Sequence, residues 1–280
     1  GDWSSDVCSS DLFSMQRIAK VALVTGASSG FGEATARFLA SHGFKVACCD
    51  RSFVHNSPDS ELVESIQNEG SAIFCGMDTL NTNDILSALE TIESTYGQAP
   101  TVAVNAEQVV LGEEILGSDF TPHSIESFKE VMDRNVAGNF NLIRLLAKEM
   151  IRNPRNEGGE RGVIINTSSI AAVNGSGAMI AYSTAMAAVS GMTLPLARSL
   201  GRYGIRCVGI QPGLFAIPEI RDYEDTINVL AKMTPFPRRL GDPEEFAQLV
   251  ETIISNEMLN GCNIRLDGGE IGRASCRERV

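Results

Sequence analysis

The sequence has little that would cross-link it or hold a metal. Its seven cysteines, in 280 residues, form no C-x-x-C pair, and their number is odd. That argues against a zinc site or a disulfide framework and for a reducing compartment, with buried free thiols as the expectation. The histidines are three, His42, His55 and His123, and they are scattered, which leaves them capping or solvated roles. Basic residues are short too: 23 Lys and Arg against 35 Asp and Glu give a net charge of −12, so broad electrostatic contact with nucleic acid is disfavoured. Internal repeats and low-complexity runs are lacking. One stretch, Val163 to Ala197, has no charged residue and is long enough to span a bilayer. Its Asn166, Ser168, Asn174 and Pro195 instead fit a buried strand, a loop and a buried helix, and no membrane span is expected.

Both ends stand apart from the rest. Residues 1–12 (GDWSSDVCSSDL) and 271–280 follow neither helical nor strand periodicity, and both read as translations of common sequencing-adapter DNA. They carry Cys8, Cys276 and the only tryptophan, Trp3, and are set aside from fold reasoning. The expected folded unit is 13–270, with a natural start at Met15.

Within that unit short apolar runs alternate with helical spacing. Strands are expected at Lys20–Thr25, Lys45–Asp50, Ala72–Met77, Thr101–Asn105, Gly162–Thr167, Arg206–Gln211 and Asn263–Leu266. Helices are expected at Glu33–His42, Leu62–Glu69, Asn83–Tyr96, Tyr182–Gly201 and Pro243–Asn256, with one long helix capped by Ser124 and running to Met150. Alternation of this kind means parallel βαβ units. The fold class is α/β, a single-domain Rossmann fold with a doubly wound, seven-stranded parallel sheet. Phe140, Ile143, Leu146, Met192, Leu194 and Leu196 are more apolar residues than one sheet face covers, so a homo-oligomer is expected.

Chemistry concentrates at the strand ends. After the first strand comes TGASSGFG, with Gly26, Gly30 and Gly32. Glycines there let backbone approach a pyrophosphate, and the helix that follows offers free N–H groups and a positive dipole end. Asp50 ends the second strand, where a carboxylate accepts from both ribose hydroxyls and repels a 2′-phosphate; NAD is favoured over NADP. Asp78, after the third strand, is a candidate for the adenine edge. Ser169 and Tyr182 lie thirteen residues apart, with Asn135 on the preceding helix. A phenol is a poor acid at neutral pH unless its anion is stabilised.

TGASSGFG, Asn135, the Ser169–Tyr182 spacing and LDGG at 266–269 resemble the short-chain dehydrogenase/reductase family over nearly all of 15–269. GVIINTSS (162–169), GMTLPLAR (191–198), PGLF (212–215), PFPRRLGDPEE (235–245) and LNGCNIRLDGG (259–269) are similar to its mitochondrial 3-hydroxyacyl-CoA dehydrogenase branch. The resemblance implies an NAD-dependent enzyme that oxidises hydroxyacyl-CoA thioesters or hydroxysteroids, a mitochondrial homotetramer. It makes Asn135, Ser169 and Tyr182 catalytic, and gives Ser29, Phe31, Asp50, Asp78, Asn105 and Phe215 to NAD.

Three positions depart from the family pattern. Met186 stands where the Tyr-x-x-x-Lys lysine belongs, on the same helix face as Tyr182. That lysine holds the nicotinamide ribose and lowers the tyrosine pKa; methionine does neither. The fourth strand ends in Asn105-Ala106-Glu107-Gln108 instead of Asn-Asn-Ala-Gly, which places a charge and a side chain where backbone passes the cofactor. Ile217 replaces the threonine that binds the carboxamide. The expectation is therefore an impaired dehydrogenase, and the alternative a non-catalytic paralogue that keeps the scaffold for NAD or a protein partner. Arg238-Arg239 is a candidate for a CoA phosphate, with a loop-anchoring ion pair as the favoured role.

Overall fold

A computed structural model describes residues 20–218 and 224–270. The two ends read as adapter-derived lie outside the described residues.

Seven parallel strands form one sheet in the order β3-β2-β1-β4-β5-β6-β7. They are β1 (Val21–Thr25), β2 (Lys45–Asp50), β3 (Ala72–Gly76), β4 (Val102–Asn105), β5 (Gly162–Thr167), β6 (Ile205–Pro212) and β7 (Asn263–Leu266). The order reverses direction between β1 and β4, which opens a crevice at their carboxyl ends. The strand runs are apolar on both faces because helices cover both. Alternate residues divide between two cores. Ala22, Val24, Val46, Val104 and Ile165 face α1 (Gly30–Ser41), α2 (Ser60–Gln67) and α8 (Pro243–Ser255). Val21, Leu23, Ala47, Ala103 and Ile164 face α3 (Thr82–Tyr96) and α5 (Asn139–Met150). A third cluster joins α4 (Ile125–Met132) to α6 (Ile180–Leu200) through Val131, Ala185, Met186 and Val189. A short helix, α7 (Glu224–Ala231), precedes α8 and has no counterpart in the sequence reading.

Two expectations need correction. The long helix from 124 to 150 is not uniform. Ser124 caps it as expected, its Oγ accepting from Ser127 N, but residues Asp133–Gly138 form a widened π turn between α4 and α5. No proline interrupts the run from Ser124 to Met150, so the sequence reads as one helix. Of the apolar surplus assigned to association, Ile143 and Leu146 are buried against the sheet, whereas Phe140 is 50% and Leu194 43% exposed. By length and composition α6 and its extension to Tyr203 are apolar enough to cross a membrane. Here Ala181, Ala185, Met186 and Val189 of that helix are buried inside the domain. Cys48, Cys49, Cys75 and Cys207 are buried free thiols, as expected of them.

Candidate active site

The crevice at the β1–β4 reversal is a cavity of about 1050 Å³. Its floor is backbone. Gly26 has φ 64°, and a Cβ there would stand 2.9 Å from Glu107 N. At Gly32 a Cβ would stand 2.1 Å from Gly26 O, so neither position admits a side chain. Thr25 Oγ1 ties the loop to the next strand end by accepting from Ala106 N at 3.0 Å and Glu107 N at 3.2 Å. The first turn of α1 keeps its free N–H groups, since Ser29 caps none of them with its side chain. This end of the cavity can receive an anion.

Asp50 is set by three donors. Ser28 N gives a hydrogen bond to Oδ2 at 3.0 Å, while Ser52 N and Oγ reach Oδ1 at 2.8 and 2.7 Å. With about four acceptor positions on an ionised carboxylate, Oδ2 keeps capacity for a hydroxyl. Asp78 takes both its oxygens to Arg134 Nη1, at 2.7 and 2.8 Å. Burial works the other way, but the hydrogen bonds from Arg134 and Leu80 hold its carboxyl below the usual range.

The opposite end is built from side chains. Tyr182 Oη donates to Gln108 Oε1 at 2.9 Å. The amide Nε2 of Gln108 reaches Thr167 O and Ser168 O, both at 3.0 Å, and the Met186 sulfur at 3.5 Å. Gln108 therefore spans from the end of β5 to α6 with its amide fully engaged. Met186 is wholly buried beneath it. Burial pushes the Tyr182 phenol up to about 12, the Ser169 hydroxyl being the neighbour that draws it down. Ser169 Oγ also accepts from Ala171 N at 3.1 Å. Asn135 sits in the π turn. Its Nδ2 donates to Val131 O and Val109 O, and its Oδ1 accepts from Val109 N at 2.9 Å, which pins the chain just beyond Gln108.

Several sequence-derived residues line the cavity: Gly26, Ser29, Gly30, Phe31, Asp50 and Asp78, together with Ile217. The Phe31 ring also meets the core, edge-on to Phe215 at 5.0 Å and tilted against Phe246 at 4.6 Å. Phe215 is buried and away from the cavity lining. Asn105 is buried as well, its Nδ2 donating to Asn139 and Asn166 at 2.8 Å each, a joint between β4, β5 and α5. Ser169, Tyr182 and Asn135 cluster near one another through Gln108 and Val109 but do not line the cavity. Arg239 pairs with both oxygens of Glu245 at 2.8 Å, the loop-anchoring role. His42 caps α1, its Nδ1 2.7 Å from Phe38 O. His55 lines the cavity, which its isolation in sequence does not signal. The Gln108–Tyr182 contact is likewise invisible there: the two residues are 74 apart.

A family model described as short chain dehydrogenase matches residues 20–226. The chain is 40% identical to 3-hydroxyacyl-CoA dehydrogenase type-2 of Homo sapiens over 250 residues, 89% of this chain and 94% of that one. It is 33% identical to ipsdienol dehydrogenase of Ips pini, over 89% of this chain and 95% of the other. Among solved structures, 3-hydroxyacyl-CoA dehydrogenase type-2 from Mycobacterium avium superposes with a TM-score of 0.83 at 31% identity, covering 90% of this chain and 96% of that chain. The reversal-point cavity, the glycine turn and this likeness over nearly the whole domain agree: the chain belongs to the short-chain dehydrogenase family.

Proposed function

We propose that this protein is a dinucleotide-binding short-chain dehydrogenase that keeps the adenosine end of its site and has impaired hydride transfer. Membership of the family implies a nicotinamide cofactor. NAD is our choice over NADP, because Asp50 offers an oriented carboxylate and Arg51 leans toward Glu107, its Nε 4.0 Å from Oε1. The substrate class we assign is a hydroxyacyl-CoA, from the names of the relatives; a hydroxysteroid-like alcohol rests on the sequence resemblance alone. A mitochondrial location and a homotetramer rest on the sequence resemblance; the half-exposed Phe140 and Leu194 favour association.

One observation carries the impairment: the Tyr182 hydroxyl already has an acceptor, Gln108 Oε1, and its phenol is pushed up to about 12. In alcohol oxidation bound NAD supplies the hydride acceptor, and the protein must remove the hydroxyl proton. Tyr182 is the group to do so, as phenolate. Buried beside Met186, it has no cation beside it among the described residues to make that anion accessible near pH 7. Ser169 can orient a substrate oxygen, and Asn135 holds the 108–109 backbone in place. Gln108 holds the Tyr182 hydroxyl through its Oε1.

The test pairs binding with chemistry. Calorimetry is expected to detect NAD binding, with NADP weaker. Single-turnover NADH formation with 3-hydroxybutyryl-CoA is expected to fall far below the range of roughly 1–1000 per second common to enzymes. Turnover inside that range overturns the impairment. No turnover even after Met186→Lys with Gln108→Gly favours the scaffold paralogue instead.

A further inference from the structure

Glu107 is one of four acidic residues that line the cavity, with Asp50, Asp78 and Asp84. Its backbone is fixed, since Glu107 N donates to Thr25 Oγ1 and lies against the turn at Gly26. Its side chain is only 20% exposed, and Oε2 is buried without a hydrogen-bond partner among the described residues. Oε2 has company in this. Asn105 Oδ1 is also buried without a partner, and Asn105 and Glu107 line one small void of about 10 Å³. These two acceptors border that void beside Thr25, Thr79, Asn139 and Arg134, and a proton on Glu107 would turn one of them into a donor.

The charged groups around Glu107 come from three elements. Asp50 and Arg51 close β2, Asp78 follows β3, and Arg134 lies in the π turn. Arg134 gives its Nη1 to both oxygens of Asp78 and borders the same void, and Arg51, its Nε 4.0 Å from Oε1, is the cation within ion-pair reach of Glu107. Burial first and Asp50 second push the Glu107 carboxyl up to about 7, against the pull of Arg51 and Arg134. His55 and Asp84 line the same cavity.

We infer that Glu107 makes this cavity select its ligands by charge. When ionised it favours a neutral nucleoside, whose hydroxyl and amino groups are donors, over a dinucleotide carrying a pyrophosphate. The dinucleotide binds at full strength only when Glu107 holds a proton. This rests on the reading that the cavity takes the adenosine end of NAD. A pyrophosphate brings like charge into a partly buried site, which shifts the proton equilibrium of Glu107 further toward the neutral form. Binding of the dinucleotide therefore takes up a proton, and its affinity falls as pH rises above 7.

Adenosine and NAD are titrated calorimetrically into the full chain and into Glu107→Gln at pH 6 and pH 8, in two buffers of different ionisation enthalpy. For the unmodified protein NAD affinity is expected to weaken about tenfold between pH 6 and 8, with close to one proton taken up at pH 8. Adenosine affinity is expected to change by less than about twofold, and Glu107→Gln to abolish the NAD dependence. Since His55 and Asp84 remain in that variant, a dependence that survives it overturns the inference. So does pH-independent NAD binding by the unmodified protein. If Glu107→Gln fails to fold, the proton count of the unmodified protein decides: no uptake overturns the inference. Adenosine binding with pH-independent NAD binding overturns this inference alone. Binding of neither ligand overturns the adenosine reading and this inference together.

Discussion

The two ends of the crevice are built from different material. At the Gly-rich end the wall is backbone: the turn at Gly26, the close approach of Gly32 and the N–H groups that open α1. At the tyrosine end it is a side chain, Gln108, with Tyr182, Met186 and Ser169 packed behind the lining. A change in the first end collides with the fold, since a Cβ at Gly32 meets the carbonyl of Gly26 at 2.1 Å. Change in the second end is tolerated. Met186 is an apolar residue packed with Val131, Ala185 and Val189, and Gln108 satisfies its own amide. The parts of a binding site that double as scaffold persist, and the parts that serve only chemistry can be exchanged.

The most severe test of this contrast is Gly32→Ala. The clash is with backbone, which has nowhere to move, so a stability loss of about 3 kcal/mol or more is expected, read from urea unfolding. A near-neutral outcome would break the comparison at its stronger end. At the other end, repair is expected to raise activity without harming the fold. Met186→Lys with Gln108→Gly and Ile217→Thr should form NADH at least about tenfold faster than Met186→Lys alone, or ~1.4 kcal/mol of transition-state stabilisation. Its steady-state rate should exceed that of the unmodified chain by about a hundredfold or more, given the usual size of general-base effects.

A smaller effect sits where the two ends meet. The Glu107 carboxyl titrates near 7 in the folded chain, against about 4.3 for a free glutamate. The folded state thus binds the proton more tightly, and this residue's destabilising contribution grows as pH rises through 5 to 8. Glu107→Gln is expected to be more stable than the unmodified protein by about 1–2 kcal/mol at pH 8, with the gap closing by pH 5. Thermal melts across that range would reveal an inverted or flat dependence. The smallest expected change is for Gln108→Ala. It removes one side-chain bridge and should cost about 1 kcal/mol of stability. A cost above about 3 kcal/mol would make Gln108 part of the scaffold after all.

Much of the fold was legible from the sequence because the sheet is buried on both faces. The runs Val21–Val24 and Val163–Ile165 are apolar throughout, and stop where polar residues begin. Boundaries of β2, β5 and β7 agree with the expected ones to the residue. The π turn at Asp133–Gly138 was not legible, since no proline marks it in the run from Ser124 to Met150. The side on which Ile143 and Leu146 face was not legible either, because composition counts apolar residues without saying what covers them.

For the site the division is similar. The sequence by itself determined the Gly-rich turn, the acid at the end of β2 and the absence of a lysine at 186, because each is a matter of residue type at a fixed local spacing. Only the tertiary structure decided that Gln108 reaches Tyr182, that Phe215 belongs to the core, that His55 joins the cavity and that Asp78 is held by Arg134. These are contacts between elements distant along the chain. They depend on strand order, on how far a side chain reaches and on which neighbours leave an oxygen unpaired, quantities that no local pattern encodes.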